Sequence, residues 1–101
     1  MFVAGTTGFD YAAMTISEDP AEQARQTFRN IERALAEAGA TLADVVRVRY
    51  YVPNRDDWPA IVPVLAEMFG TIRPAATAVF CGLVDERMKI EIEVTARRHS
   101  D

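Results

Sequence analysis

Hydrophobic and polar residues follow two rhythms along this chain, and the rhythms divide it into elements. Ala21, Ala24, Phe28, Ile31, Leu35 and Ala38 recur at steps of three and four, which lines them along one side of a helix. Asp19-Pro20-Ala21-Glu22 starts that helix. Asp accepts from the free amides of a first turn, Pro suits the first position, Glu22 stands three residues after the cap, and Gly39 ends the run. Arg25, Arg29, Glu32, Arg33 and Glu37 fall off the stripe and read as a solvated face with weak ion pairs. Asp56, Asp57 and Pro59 open a second helix whose apolar side is Ile61, Val62, Leu65, Met68 and Phe69, with Gly70 as its stop. Pro63 lacks an amide donor, so the first turn is expected to be irregular or to begin after Pro59. Trp58 is expected to be buried at the helix start.

The second rhythm has a period of two. Residues 1–6 are apolar and β-prone, and the chain reads as starting inside a sheet. Gly8-Phe9-Asp10-Tyr11 then begins a long loop that runs to Asp19. Asp44–Val52 is a strand closed by Pro53-Asn54, with Val46, Val48, Tyr50 and Val52 on one face and Arg47, Arg49 and Tyr51 on the other. Ala76–Leu83 reads as a strand that contains Cys81, and Asp85-Glu86-Arg87 as a turn. Met88–Thr95 alternates strictly, with Lys89, Glu91 and Glu93 on its polar face. Residues 97–101 form a polar tail.

The predicted order is β-α-β-α-β-β over a single domain, 1–101: an α/β (α+β) fold with two helices on one face of a mixed sheet. The second face displays Arg47, Arg49, Tyr51 and Glu91 with no helix left to cover it. A second copy of the chain is the natural cover, and a homo-oligomer is expected.

Composition narrows the function classes. The 101 residues are 50% hydrophobic and 26% charged, with five glycines and five prolines, which suits one folded domain rather than a linker or a disordered chain. No apolar run reaches the roughly 20 residues of a membrane-spanning helix, and the start does not read as a secretory signal, so a cytoplasmic protein with no membrane partner is expected. A formal net charge of −4 argues against nucleic acid as a partner. One histidine, His99, and one cysteine, Cys81, do not assemble the usual zinc ligand sets or a hydrolytic triad, and the glycines near Gly5 and Gly8 do not space as a phosphate loop. Neither a metal nor a cofactor is expected. Cys81 reads as an inert buried thiol. The remaining chemistry is a set of polar residues on sheet faces: Glu91 and Glu93, Arg47 and Arg49, Thr6 and Thr77. By themselves these are read as charge pairs across strands or across a subunit interface.

Arg73-Pro74-Ala75-Ala76-Thr77, followed by Met88-Lys89-Ile90-Glu91-Ile92-Glu93-Val94-Thr95-Ala96, strongly resembles the Rid family, also called YjgF/YER057c/UK114. Phe2-Val3-Ala4-Gly5-Thr6-Thr7-Gly8, the helix beginning Ala21-Glu22-Gln23-Ala24, and Asp44-Val45-Val46-Arg47-Val48 extend the likeness over nearly the whole chain. The resemblance implies a chorismate-mutase-like subunit, a homotrimer, and small-molecule clefts between neighbouring subunits. It implies hydrolysis of reactive enamines and imines to 2-keto acids and ammonia, without a cofactor. Glu91 matches the family's glutamate, Gly5 and Thr6 match the first-strand wall of the cleft, and Thr77 and Ala78 lie just after the clamp position. The family's carboxylate-binding arginine stands two residues after the motif proline, where this chain has Ala76, and Ala78 stands where a cysteine is common. Arg73 and Arg49 are the candidate substitutes. For Arg49, a structural ion pair with Glu91 or Glu93 is an equal expectation. The family also usually has a strand and turn, with a cleft-closing aromatic, before the Phe2-Val3 strand. Two functions therefore stand: imine hydrolysis, or non-catalytic metabolite binding by a regulatory trimer.

Overall fold

A computed structural model of the chain describes residues 1–97. Strands β1 (Phe2–Thr7), β4 (Val45–Val52), β5 (Ala75–Phe80) and β6 (Glu91–Ala96) form one mixed sheet in the order β1-β6-β4-β5. β6 runs antiparallel to both β1 and β4, and β4 runs parallel to β5. Helices α1 (Pro20–Glu37) and α2 (Trp58–Phe69) carry the other half of the core. Among the described residues no helix is long and apolar enough to cross a membrane.

The helix α1 forms where its sequence directs. Asp19 accepts from the Ala21 amide at 3.3 Å, and Ala24, Phe28, Ile31 and Leu35 are fully buried. At the other end Gly39, at φ 77°, completes a Schellman closure: its amide bonds to Ala36 O at 3.0 Å and that of Ala40 to Leu35 O at 2.9 Å. The closure turns Ala38 out to solvent and buries Ala40 instead, so the expected core stripe ends at Leu35.

Three polar residues of α1 are buried as well, and they position the sheet. The Gln23 amide nitrogen donates to Ser17 O (2.6 Å) and Arg87 O (2.8 Å), while its oxygen accepts from the Lys89 amide (2.8 Å). Asn30 donates to Thr7 O and Phe9 O at 3.0 and 2.9 Å, fixing the end of β1. The Thr27 hydroxyl donates to Gln23 O within the helix. Gly8 passes so close to this helix that a Cβ there would lie 2.6 Å from the Gln23 carbonyl oxygen.

Several expectations are corrected. The loop after Gly8 contains a small hairpin, β2 (Phe9–Asp10) with β3 (Thr15–Ile16), whose turn is tied by Asp10 accepting from the amides of Ala12 and Ala13. Pro63 sits inside α2, which begins at Trp58 after a 3₁₀ turn over Arg55–Asp57. Pro59 and Pro63 are both exposed, so the helix can carry the carbonyl that Pro63 leaves unbonded on its solvent side. In α2 the buried residues are Ile61, Val64 and Phe69, and Val62 is exposed. A register shift between Val45 and Arg47 buries Val45 and turns Val46 outward, against the simple alternation expected of β4. β5 ends at Phe80, because β4, its partner, ends at Val52 before Pro53; Cys81 makes one last bond to Val52 O and lies half-buried outside the strand. β6 begins at Glu91 rather than Met88, since Gln23 takes the Lys89 amide. Of the expected polar tail, residues 98–101 lie outside the described residues.

Candidate functional site

The sheet has two faces of different chemistry. On the helix side, Val48, Tyr50, Ile92 and Val94 are buried. On the other, strand register places Glu91, Tyr51 and Val79 in one row and Glu93, Arg49 and Thr77 in the next. The Tyr51 hydroxyl donates to Glu93 Oε1 at 2.6 Å, and Arg49 Nη1 lies 3.6 Å from the same oxygen. The hydrogen bond to the Glu93 carboxylate raises the Tyr51 hydroxyl above its usual range, with Arg49 pulling in the opposite direction. Arg49 is thus engaged by Glu93, one of the two carboxylates weighed for it.

Glu91 differs from Glu93. It makes no hydrogen bond or ion pair among the described residues, and its side chain lies across the backbone of Gly5. A Cβ on Gly5 would sit 2.8 Å from Glu91 Cδ and Oε2, so a glycine is what lets the carboxylate rest there. The bulge of β1 between Val3 and Thr6 contains that glycine.

The candidate residues therefore divide. Glu91, Gly5, Arg49 and Thr77 belong to the open face. Thr6 pairs in register with the buried Ile92, and its hydroxyl is spent on Ala4 O at 2.9 Å. Ala78 pairs with Tyr50, also on the helix side. Within one chain Ala78 and Thr6 do not meet Glu91, and a site that uses both faces needs a second chain. Among the described residues no three His, Cys, Asp or Glu side chains converge to hold a metal ion.

Ala76 and Ala78 instead line a hollow of about 530 Å³ between β5 and α2, walled by Tyr50, Trp58, Leu65 and Phe69. Trp58 is half-buried there, edge-on to Tyr50 and Phe80 with ring centroids 6.1 and 6.2 Å away. Burial pushes the Tyr50 hydroxyl well above its usual range. Sequence reading missed this hollow. Its signal was the alternation of Ala76 and Ala78 on one strand face opposite a tryptophan and two other aromatics.

Residues 1–98 match the family model described as Endoribonuclease L-PSP. A RutC family protein of Pyrococcus abyssi is 35% identical over 97 residues, covering 95% of this chain and 76% of the relative. The crystal structure of a Mycobacterium tuberculosis member of the YjgF/YER057c/UK114 family is 44% identical with a TM-score of 0.84, over 94% of this chain and 75% of that one. RidA from an Antarctic Psychrobacter is 29% identical with a TM-score of 0.85, over 92% of this chain and 76% of that one. With its two helices packed on a mixed sheet, its Gly5–Glu91 contact and these likenesses, the chain belongs to the Endoribonuclease L-PSP family, the YjgF/RutC/RidA group of proteins.

Proposed function

We propose that this chain assembles as a homotrimer whose intersubunit clefts bind a small metabolite, and that it hydrolyses reactive imines and enamines to 2-keto acids and ammonia. The observation that carries this reading is Glu91: a carboxylate on the uncovered sheet face, seated over Gly5 and unclaimed by any described residue. Such a group can accept a proton from water as the oxygen adds to an imine carbon. It then returns that proton to the nitrogen, which gives a carbinolamine; as the C–N bond breaks, the carbinolamine hydroxyl passes its proton to the nitrogen through the same carboxylate, so that ammonia leaves and the keto acid is the second product. The reaction draws on no cofactor. Thr77 and the β1 backbone at Gly5 supply polar groups on the same face. The substrate in this reading is a small molecule of the cytoplasm, with no part for nucleic acid or membrane.

The test generates 2-aminoacrylate or 2-iminobutanoate in a coupled assay and follows its hydrolysis with and without the protein. Glu91→Gln is expected to lower the rate by about 100-fold or more, the usual worth of a general acid–base group. An unchanged rate overturns the role of Glu91, and a monomer in light scattering overturns the intersubunit cleft. Non-catalytic binding by a regulatory trimer is the second reading. It is favoured by Ala76 at the clamp position and by the engagement of Arg49 with Glu93. Saturable metabolite binding without turnover would select it.

A further inference from the structure

One end of the open sheet face holds a cation that its own chain does not pair. Strand register sets Phe2, Thr95, Arg47 and Ala75 in one row across the sheet, with Glu93, Arg49 and Thr77 in the row beside it. Arg47 and Arg49 stand two apart on β4, so both guanidiniums leave the same face. Glu93 is the single carboxylate of these two rows, and it is engaged: its Oε1 accepts from the Tyr51 hydroxyl at 2.6 Å and lies 3.6 Å from Arg49 Nη1. Arg47 makes no hydrogen bond or ion pair through its side chain with any described residue, and the Thr95 hydroxyl opposite it is equally unused. The two arginines, Glu93, Thr95 and Phe2 enclose a small hollow of about 60 Å³.

Size and charge then specify an occupant. A water molecule's share of the liquid is about 30 Å³, so the hollow has room for an ion of a few atoms and not for a metabolite. A guanidinium with free donors is a planar fork that matches two oxygens of one anion, and a hydroxyl beside it donates to a third. We propose that this hollow binds a small tetrahedral oxyanion, phosphate or sulfate, with Arg47 as its fork, Arg49 as the second positive charge and the Thr95 hydroxyl as a further donor. Glu93 lines the hollow too and opposes an anion, so two arginines against one carboxylate leave a single net positive charge, and millimolar rather than micromolar affinity is expected. A second argument rests on the assembly proposed above. Where another copy covers this face, an unpaired Arg47 loses its water, and a bound anion supplies the counter-charge that its own chain does not. The site lies two rows away from Glu91 and Gly5 and goes beyond the metabolite reading.

The probe is inorganic phosphate, followed by the broadening of its phosphorus NMR line and by the rise it causes in unfolding temperature. Sodium chloride at the same ionic strength is the reference, which removes general screening from the comparison. Wild-type protein is expected to broaden the line saturably and to be stabilised by phosphate beyond chloride, with sulfate competing. Arg47→Gln should weaken phosphate about 10-fold or more, the usual loss for hydrogen bonds to a charge. Arg47→Lys keeps the charge without the fork and should recover part of the loss. Thr95→Val, a second variant of similar shape, should weaken phosphate while circular dichroism in chloride shows it folded. Equal stabilisation by phosphate and chloride, or an Arg47→Gln protein that binds phosphate like the wild type, would overturn the proposal. So would a wild type silent to phosphate whose mass in light scattering falls on Arg47→Gln, because Arg47 would then pair with a carboxylate of a second copy. The readings fail separately. Phosphate binding by a monomer, or without imine hydrolysis, supports this site and removes the assembly or the catalysis; turnover without phosphate binding removes the site and keeps the catalysis.

Discussion

Replacing Gln23 with Met keeps the volume of a fully buried side chain and deletes three hydrogen bonds at once. Those bonds join the start of α1 to Ser17 at the end of the hairpin and to Arg87 and Lys89, the residues that lead into β6. Their partners are partly exposed, so water can replace the lost contacts and the full penalty for burying an unpaired group does not apply. At about 1 kcal/mol for each bond the loss is about 3 kcal/mol. For a domain of this size that corresponds to a fall in Tm of roughly 12–24 °C. Urea unfolding of the wild type and Gln23→Met, followed by Trp58 fluorescence and by circular dichroism, measures it. Freed from Gln23, the Lys89 amide also loses the contact that sets where β6 begins, two residues before Glu91, so faster hydrogen exchange is expected at Lys89 and Glu91. A destabilisation below about 1 kcal/mol, with exchange at Lys89 unchanged, would refute the reasoning and reduce Gln23 to a residue that fills space.

Other outcomes follow from the same packing. Gly8→Ala places a methyl group 2.6 Å from the backbone oxygen of Gln23, which cannot swing aside as a side chain could; about 1–3 kcal/mol of stability should be lost, read from the urea midpoint. Gly5→Ala meets the movable carboxylate of Glu91 instead, so it should cost less stability while displacing Glu91, read as near-normal unfolding in urea and, under the proposed function, as lost imine hydrolysis. The Arg87 guanidinium, bonded to Asp85 at 2.7 Å, holds the Asp85 carboxyl down to about 2. A lowered carboxyl contributes its stabilisation above its unfolded value, near 3.8, and loses it as pH falls through the folded one; the loop before β6 should therefore loosen between about pH 4 and pH 2. In an NMR titration Arg87→Gln should return the Asp85 midpoint towards 3.8, and an unmoved midpoint would show that the pair does not hold it.

A single chain separates Glu91 from the hollow by the thickness of its own sheet, and every residue of β5, between them, is exposed. An edge strand exposed along its whole length is a surface that proteins normally cover.

Strongly periodic segments were legible without coordinates. Asp19-Pro20 and the spacing of Ala24, Phe28, Ile31 and Leu35 define α1, because capping and the helical stripe are both local properties of the chain. The alternation of Ile90, Ile92 and Val94 likewise assigns β6 its buried face, and the position of Glu91 on the opposite face follows from it. Misreadings arose where a distant partner decides. Lys89 leaves the strand because Gln23, 66 residues away, takes its amide, and Val46 turns outward through a shift in register with β6. The hairpin over Phe9–Ile16 has two-residue strands, too short to show any alternation.

The candidate site divides along the same line. The sequence by itself determined which residues share a face where a strand runs without a bulge, since side-chain direction alternates along it. It therefore determined that Glu91 shares a face with Glu93, and Ala76 with Ala78. Tertiary structure alone decided that Glu93 holds Arg49 and Tyr51 while Glu91 has no hydrogen bond or ion pair among the described residues, because those contacts depend on the register between β4 and β6. It alone decided, too, that Ala76, Ala78, Trp58 and Arg73 surround one hollow. A left-handed residue at 73 resets the direction of the chain, and the packing of α2 against β5 sets the distance across which those side chains face one another.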